Sequence, residues 1–413
     1  MKIQRYLPFI LLLALTACNR GATHYKFPTP VDTRTRDITF QEKKTYDFPV
    51  LGLRADNEFD GARMNSAKLQ DDTLLVIGIE PENEPINPSP WYALRLTPER
   101  DQTLTVRLQY GKGVNHRYFP KVSTDRKTWV RVDSAAVHDA TTKNYADIRL
   151  KLTAGQPVYL AGQEIINATD VREWQATLAR RHAVVKPFPG GKSKLGREMP
   201  AFGIRSSSAD QRPTIVLLSR QHPPEVTGFL CLQAFLDGLL EHPRRDELLT
   251  KYQFLVYPLL NPDGVDLGHW RHTAGGIDSN RDWARYNQPE ADQVANGIVA
   301  HVKATGSPVV LGMDFHSTWK DVYYTHPDDM EPPTALPGFK DAWLAAIEAG
   351  IGGDFKINES PGVIGKPTSA SWFRTQFGAE GITYEIGDET PRDFVRRKGR
   401  VSAGALVEVL LAR

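Results

Sequence analysis

The sequence predicts a mixed α/β domain with a mainly parallel sheet flanked by helices, preceded by an all-β antiparallel sandwich. Between residues 37 and 161 of the 413-residue chain, short alternating runs are separated by turn residues, which is typical of antiparallel strands. From Thr169 onward, strand-like and helix-like runs alternate, as they do in parallel sheets covered by helices. We therefore expect a β-sandwich domain at residues 37–165 and a second domain at residues 166–413.

The first residues have the composition of an export signal. Basic residues precede an apolar run at residues 7–15, which is too short to span a bilayer in the mature protein. The ending LTAC resembles a bacterial lipoprotein box, in which the cysteine is lipidated and becomes the first mature residue. We expect a signal peptide at residues 1–17, a linker at residues 18–36, and a cell-envelope lipoprotein held on a membrane surface through Cys18. The alternative is an ordinary signal peptide with a chance cysteine.

The overall composition is that of an ordinary globular protein, with 40% hydrophobic and 24% charged residues. A formal net charge of +2, without basic runs that contain aromatic residues, gives no reason to expect nucleic-acid binding. Cys18 and Cys231 are the only cysteines, so lipidation of Cys18 would leave Cys231 without a partner. Stability must then come from a hydrophobic core, for which the chain is long enough.

The predicted elements follow the chain in order. The runs predicted as sandwich strands are TYDFPVLGL, DDTLLVIGIE, PWYALRLT, QTLTVRLQY, KTWVRVD and PVYLAG. The second domain opens on a predicted helix, TDVREWQATLARRH, with Thr169 as its N-cap. Later apolar runs predict buried strands at residues 213–219, 252–260, 308–315 and 381–387.

Polar residues follow or end these buried strands. His222 and Glu225 come after the first run, His316 comes at the end of the third, and Glu385 lies in the fourth. Ligands of open α/β sheets bind beyond the carboxyl ends of the strands, so we expect these side chains to meet at one edge. Taken singly, a histidine such as His316 is more often structural, and a glutamate such as Glu385 is more often a buried ion-pair partner. Their shared location at the strand ends favours a site.

Two prolines separate His222 from Glu225. A residue that precedes proline avoids the helical conformation, and proline suits the first helical position. We therefore expect His222 and Pro223 to be extended and Pro224 to begin a helix. With His316, the pair offers two imidazoles and one carboxylate, a ligand set that leaves zinc an open position for water.

The order of motifs along the second domain resembles that of the zinc metallocarboxypeptidases. The motifs are HPPE at 222–225, NPDG at 261–264, WR at 270–271, DSNRDW at 278–283, DFHS at 314–317 and TYE at 383–385. The resemblance covers about residues 169–413. The preceding segment, with ADNEFDGAR and a strand-rich PWYALRL, resembles the β-sandwich that precedes the catalytic domain in the cytosolic-carboxypeptidase-like subfamily.

The resemblance implies a zinc-dependent metallocarboxypeptidase that hydrolyses the C-terminal peptide bond of peptides or proteins through a metal-activated water. One Zn²⁺ ion would be held by His222, Glu225 and His316. Glu385 would be the general base, which takes a proton from the water and passes it to the leaving amine.

The resemblance also implies roles for three polar residues. Arg271 would stabilise the oxyanion as charge develops on the scissile carbonyl. Asn280 and Arg281 would bind the terminal carboxylate of the substrate, for which the planar fork of arginine suits a bidentate contact. The alternative for both arginines is an ordinary surface salt bridge.

The sequence departs from the family pattern at two places. Pro224 stands where the subfamily usually has glycine before the ligand glutamate, and the segment NESPGVIGKPTSASWF lacks the substrate-contacting tyrosine of many members. Tyr323 or Tyr324 is the expected substitute. The segment from Lys366 to Arg374 should line the side-chain pocket, where either basic residue would favour an acidic terminal residue.

Two other functions remain open from the sequence. A related zinc amidohydrolase, such as a deacylase of N-acyl amino acids, would use the same ligands, and its substrates also carry carboxylates. A large sandwich domain and a full C-terminal helix favour a peptide substrate. A catalytically inactive peptide-binding lipoprotein is the third possibility, and the intact Glu385 argues against it.

Overall fold

The computed structural model describes residues 26–140, 144–206 and 211–413. The predicted signal peptide and Cys18 lie outside these residues. Within the described ranges, no helix combines the length and the apolar character needed to cross a membrane.

The first part of the chain forms two β-sheets. Their strands are β1 (Thr45–Phe48), β2 (Leu53–Asp56), β3 (Ser66–Asp71), β4 (Leu74–Ile79), β5 (Ala93–Pro98), β6 (Gln102–Tyr110), β7 (Lys121–Ser123), β8 (Val130–Arg131), β9 (Val137–Ala140), β10 (Tyr145–Leu152) and β11 (Val158–Ala161). A six-stranded sheet has the order β1-β2-β5-β11-β7-β8, and a five-stranded sheet the order β3-β4-β6-β10-β9. Leu94 of the first sheet and Val106 and Ile148 of the second share one buried cluster, so the sheets pack face to face as a sandwich.

The strand predictions for the sandwich need correction in places. The run TYDFPVLGL forms two strands, because a turn that ends at the left-handed Gly52 separates β1 from β2. β10 was not predicted, although its buried residues alternate regularly with more exposed ones. β4 and β6 pair in parallel within an otherwise antiparallel sheet, because β5 lies between them in sequence and belongs to the other sheet.

The second part of the chain is a mixed α/β domain, as predicted. Its strands are β12 (Val185–Lys192), β13 (Glu198–Ile204), β14 (Thr214–Ser219), β15 (Gln253–Tyr257), β16 (Val309–Thr318), β17 (Val322–Thr325), β18 (Glu359–Pro361) and β19 (Glu380–Gly387). They form one sheet in the order β12-β13-β15-β14-β16-β19-β17-β18. The predicted buried strands are the central β15, β14, β16 and β19, which are mutually parallel.

Helices cover both faces of this sheet. They are α1 (Ala168–Arg181), α2 (Val226–Leu240), α3 (Arg245–Lys251), α4 (Pro262–Leu267), α5 (Pro289–Thr305), α6 (Phe339–Ile351), α7 (Ser369–Phe377) and α8 (Arg392–Leu411). Ile215 and Leu217 of β14 pack in a cluster with α2 and α8, whereas Val216 and Leu218 pack in another with α5 and α7. The central strands are therefore apolar on both faces, as parallel strands usually are.

The start of α1 differs from the prediction. Thr169 lies inside the helix, and Asn167 is the N-cap. The side chain of Asn167 accepts the N–H of Asp170 at 3.0 Å, and the carboxylate of Asp170 accepts the N–H of Asn167 at 2.8 Å. This reciprocal capping box satisfies the N–H groups of Asn167 and Asp170, which favours a helix start at Asn167.

The described part of the segment expected as a linker packs against the second domain. The carbonyl oxygen of Thr33 accepts a hydrogen bond from Nε2 of Gln288 at 2.8 Å. The N–H of Arg36 donates to the carbonyl oxygen of Gly275 at 2.8 Å. This segment therefore runs along the domain surface before it enters β1.

Candidate active site

Three predicted metal ligands converge at the carboxyl ends of two neighbouring strands. His222 follows β14, Glu225 precedes α2, and His316 lies on β16. Nδ1 of His222 lies 2.7 Å from Oε1 of Glu225, and Nδ1 of His316 lies 2.6 Å from Oε2. All three residues are buried, and each offers a ligand atom within 4.8 Å of the others. The donor types are those of His₂Glu zinc sites, so the residues present fit a zinc ion.

The loop between His222 and Glu225 differs from the prediction. Pro223 and Pro224 form a turn, and α2 begins at Val226 rather than at Pro224. The N–H of Val226 donates to the carbonyl oxygen of Pro224 at 2.8 Å, which places Glu225 at the N-cap with non-helical backbone angles. The Glu225 side chain makes no capping hydrogen bond to the helix and instead reaches the two histidines.

A glycine allows α2 to approach the third ligand. A Cβ atom at Gly228 would lie 2.5 Å from the carbonyl oxygen of His316, which is closer than real contacts allow. The N–H of Gly228 donates to Oγ of Ser317 at 2.8 Å. Helix α2 therefore packs directly on the His316 backbone, which brings Glu225 and His316 together.

Each histidine has a second carboxylate on its far side. Nε2 of His222 lies 2.9 Å from Oδ1 of Asp278, and Nε2 of His316 lies 2.7 Å from Oδ2 of Asp314. A histidine that donates Nε2–H to a carboxylate keeps Nδ1 available as a ligand. Both aspartates lie in the quoted motifs, but no role was predicted for them. Asp314 was detectable, because residues two apart on a strand share a face.

The charges in this cluster favour a cation. Burial alone would raise the pKa of Glu225, but His222 and His316 lower it below its ordinary value. Burial opposes the charged form of His316, yet Asp314 and Glu225 raise its pKa well above the usual range. Carboxylates therefore surround the histidines, and a divalent cation would balance the negative charge of these carboxylates.

Glu385 faces this cluster from the adjacent strand. Its Cα pairs with that of His316 in the register of β16 and β19. Burial, followed by the charge of Glu225, raises the pKa of Glu385 to about 7. Oε2 has no hydrogen-bond partner among the described residues. A carboxylate with this pKa can accept and release a proton near neutral pH.

Asp278 organises the predicted substrate-binding residues. Its Oδ2 accepts Nε of Arg271 at 2.8 Å, and its Oδ1 accepts the N–H of Asn280 at 2.9 Å. Asn280 and Arg281 lie in the short 3-10 turn Ser279–Arg281, which Asp278 caps. Oδ1 of Asn280 accepts the N–H of Ser369 at 2.9 Å, which fixes the orientation of its amide.

Comparison with known proteins identifies this domain. Residues 171–336 match the family model described as zinc carboxypeptidase. The chain carries a zinc carboxypeptidase domain. An uncharacterized protein of Zymomonas mobilis is 25% identical over 303 residues, which are 70% of this chain and 71% of that protein. Cytosolic carboxypeptidase 1 of Danio rerio is 32% identical over 108 residues, which are 25% of this chain but 9% of that relative.

A solved structure shares the whole architecture. A metallo-carboxypeptidase from Burkholderia cenocepacia superposes with a TM-score of 0.71, over 87% of this chain and 98% of that chain, at 17% identity. The fold of the zinc carboxypeptidase domain, together with the preceding β-sheets, is therefore that of bacterial metallocarboxypeptidases. The resemblance inferred from the motifs is confirmed, and the domain is a zinc carboxypeptidase-like hydrolase homologous to the cytosolic carboxypeptidases.

The predicted site residues of the carboxypeptidase domain line one cavity of about 370 Å³. They are His222, Glu225, Arg271, Asn280, Arg281, His316 and Glu385. The sandwich contributes Asn87, Pro88 and Arg117 to the same cavity. These sandwich residues were not predicted from the sequence, because they lie in turns and loops with no periodic pattern.

Two alternatives proposed for the carboxypeptidase cavity are wrong. Tyr323 is 1% exposed and packs edge-on against Trp343 in the core, whereas Tyr324 lines the cavity. Arg374 lies on α7 and is fully buried, and its Nη2 donates to the carbonyl oxygens of Pro327 and Asp328, both at 2.8 Å. Lys366 lines the cavity and is exposed. Of these two basic residues, Lys366 alone can face a substrate.

Proposed function

We propose that this protein is a zinc-dependent metallocarboxypeptidase that removes the C-terminal residue of peptides or proteins. One observation carries the proposal: the His222–Glu225–His316 ligand set, Glu385 and Arg281 line the same cavity. A metal centre beside a proton acceptor and a carboxylate-binding cation is what hydrolysis at a free C-terminus requires.

His222, Glu225 and His316 would hold one zinc ion. When bound, zinc supplies a Lewis acid that polarises the scissile carbonyl and lowers the pKa of the attacking water. Asp278 and Asp314 keep both imidazoles oriented with Nδ1 toward Glu225. The protein thereby keeps the ligand side of each ring directed inward.

Glu385 acts as general base and then as general acid. It accepts a proton from the attacking water, whose oxygen bonds to the carbonyl carbon, and it returns the proton to the departing nitrogen as the C–N bond breaks. Arg271 offers positive charge to the carbonyl oxygen, where negative charge develops. Its bond to Asp278 holds the guanidinium at the cavity wall.

Arg281 and Asn280 recognise the terminal carboxylate of the substrate. Arg281 is half-buried at the cavity wall, and the carbonyl oxygen of Asn280 accepts Nη1 of Arg281 at 2.8 Å. A half-buried cation favours substrates that carry a carboxylate, and every peptide with a free C-terminus carries one. Lys366 adds a further positive charge to the cavity, which favours an acidic terminal side chain.

We also propose that the protein is a bacterial cell-envelope lipoprotein anchored through Cys18. The basic, apolar and LTAC segments at the start of the sequence support this proposal. Metabolic labelling with a palmitate analogue should mark the wild-type protein and not the Cys18→Ser variant. Equal labelling of both would contradict the anchor.

A mixed peptide library tests the proposed activity. The purified protein with zinc should shorten peptides one C-terminal residue at a time, as read by mass spectrometry, and a chelator should stop the reaction. Peptides with amidated C-termini serve as a matched control and should resist cleavage. Hydrolysis of N-acyl amino acids without peptide cleavage would instead indicate the deacylase.

A further inference from the structure

A side chain of the β-sandwich holds the loop that carries Arg271. Glu82 follows β4 and is fully buried. Its Oε2 accepts the N–H of Trp270 at 2.7 Å. Its Oε1 accepts the N–H of Arg271 at 3.0 Å and that of His272 at 2.6 Å. One carboxylate therefore binds the backbone on both sides of Arg271 and at Arg271 itself.

The neighbours of Arg271 also point into the sandwich. The indole of Trp270 lies in the buried cluster of the sandwich, and its Nε1 donates to the carbonyl oxygen of Trp91 at 3.2 Å. Nδ1 of His272 lies 2.7 Å from Oδ1 of Asn83. The chain thus anchors residues 270 and 272 in the first domain, while Arg271 between them lines the catalytic cavity of the second.

Glu82 is suited to remain charged in this position. Burial alone would raise its pKa, but His269, Arg63 and the bonded N–H of His272 lower it below the usual value. A carboxylate that accepts several backbone N–H groups is stabilised in its ionised form. Strong, charge-assisted bonds to three consecutive N–H groups leave this stretch of backbone little freedom.

The contacts continue from this loop to the metal centre. Nε of Arg271 donates to Oδ2 of Asp278, whose Oδ1 lies 2.9 Å from Nε2 of His222. A displacement of the loop would therefore move the guanidinium that faces the scissile carbonyl. A misplaced group in an active site can lower the rate strongly even when the substrate still binds.

We infer that Glu82 is a positioning residue that sets Arg271 for catalysis, so that the β-sandwich is part of the active site. This inference rests on the proposed function and assigns the sandwich domain a role in it. A purely structural role would lower stability and leave the reactivity of the folded enzyme unchanged.

The first experiment measures the mobility of the loop at residues 270–272 and does not require enzymatic activity. Amide hydrogen exchange of the zinc-loaded protein should show faster exchange at residues 270–272 in Glu82→Gln than in wild type. Glutamine keeps the volume but presents an N–H₂ group where one carboxylate oxygen accepts a bond. The control is Glu290→Gln, which alters another buried carboxylate, on α5, outside the cavity lining. Unchanged exchange at residues 270–272 in Glu82→Gln would overturn the inference.

The second experiment reads catalysis on a C-terminal peptide substrate. In Glu82→Gln, kcat should fall about 10- to 100-fold with KM changed less than about twofold, because the affected group acts on the transition state. In an Arg271→Ala background the same change should lower kcat less than about twofold. An equal loss in both backgrounds, or a loss of bound zinc that accounts for the lower rate, would overturn it.

Two further arms keep the result interpretable. Glu82→Asp retains the charge and should give a kcat between those of wild type and Glu82→Gln, and a kcat below that of Glu82→Gln would contradict the inference. If the wild-type protein removes no C-terminal residue, the proposed function fails. The exchange experiment then still decides whether Glu82 holds the loop.

Discussion

The carboxylate of Asp314 and the imidazole of His316 lie on the same side of β16, with Oδ2 2.7 Å from Nε2. Asp314 is fully buried and also accepts hydrogen bonds from the side chains of Gln221 and Ser369. Its position is therefore set by several elements at once. Because it binds Nε2, the ring of His316 presents Nδ1 to Glu225, which is the orientation a metal ligand needs.

Replacing Asp314 with asparagine should weaken zinc binding. The amide can rotate to offer N–H₂ or oxygen but no negative charge, so the His316 ring loses its fixed orientation and part of its basicity. We expect the zinc Kd to rise about 10- to 100-fold. Competition with a chromophoric chelator measures this, with Asp341→Asn, which alters an exposed carboxylate on α6, as control. An unchanged Kd would show that Asp314 does not affect the binding of zinc by His316.

Removal of zinc should destabilise the fold. The ion would be bound only by the folded arrangement of His222, Glu225 and His316, so free zinc at about a thousand times its Kd stabilises the protein by about 4 kcal/mol. Calorimetry with and without a chelator should show a lower Tm for the apoprotein, reversed by added zinc. In the His316→Ala variant the Tm should respond much less to zinc; an equal response would place the ion elsewhere.

Substitution of Glu385 by glutamine should strongly lower turnover and leave zinc bound. Glutamine cannot take a proton from water, and loss of a general base lowers kcat about 100- to 10,000-fold. Because Glu385 is not among the clustered ligands, zinc content should equal that of wild type. Peptide hydrolysis and metal analysis on the same samples check both statements. A fully active variant would remove the proposed mechanism.

The central strands and the three metal ligands could be predicted from the sequence, because local pattern and strand order determine them. The central strands are long apolar runs, and polar residues at the ends of parallel strands must meet, so His222, Glu225 and His316 could be named. The exact start of α2 could not be predicted from the sequence. Glu225 forms the N-cap and contacts the two histidines, and these tertiary contacts outweigh the preference of Pro224 for a first helical position.

Residues that act across the domain boundary were not predictable. Glu82 lies in a turn segment with no periodicity, and its partners are more than 180 positions away in the chain. The direction of the Arg374 side chain could not be predicted either. Nothing in the sequence shows that α7 directs this side chain toward the carbonyl oxygens of residues 327–332. Such contacts depend on how the elements pack.

Glu290 should make stability depend on pH. Burial raises its pKa to about 7 in the folded protein from 4.5, so the fold binds this proton more tightly than the unfolded chain does. The resulting stabilisation is complete below about pH 4.5 and is lost as the pH rises through about 7. Glu290→Gln removes this titration, so the Tm of wild type should fall relative to the variant between about pH 5 and pH 8. Parallel Tm profiles would contradict the shift.

Reversing the charge of Lys366 should change the preference for the terminal residue. Lys366 is exposed at the cavity, so a charge pair with the substrate is screened and worth about 1 kcal/mol, or about fivefold in kcat/KM. In Lys366→Glu, peptides that end in glutamate should become poorer substrates and peptides that end in lysine better ones. Paired kinetics on both peptides measure this, and Lys356→Glu, which alters an exposed lysine outside the cavity lining, is the control. An unchanged ratio of the two kcat/KM values would show that Lys366 does not contact the terminal side chain.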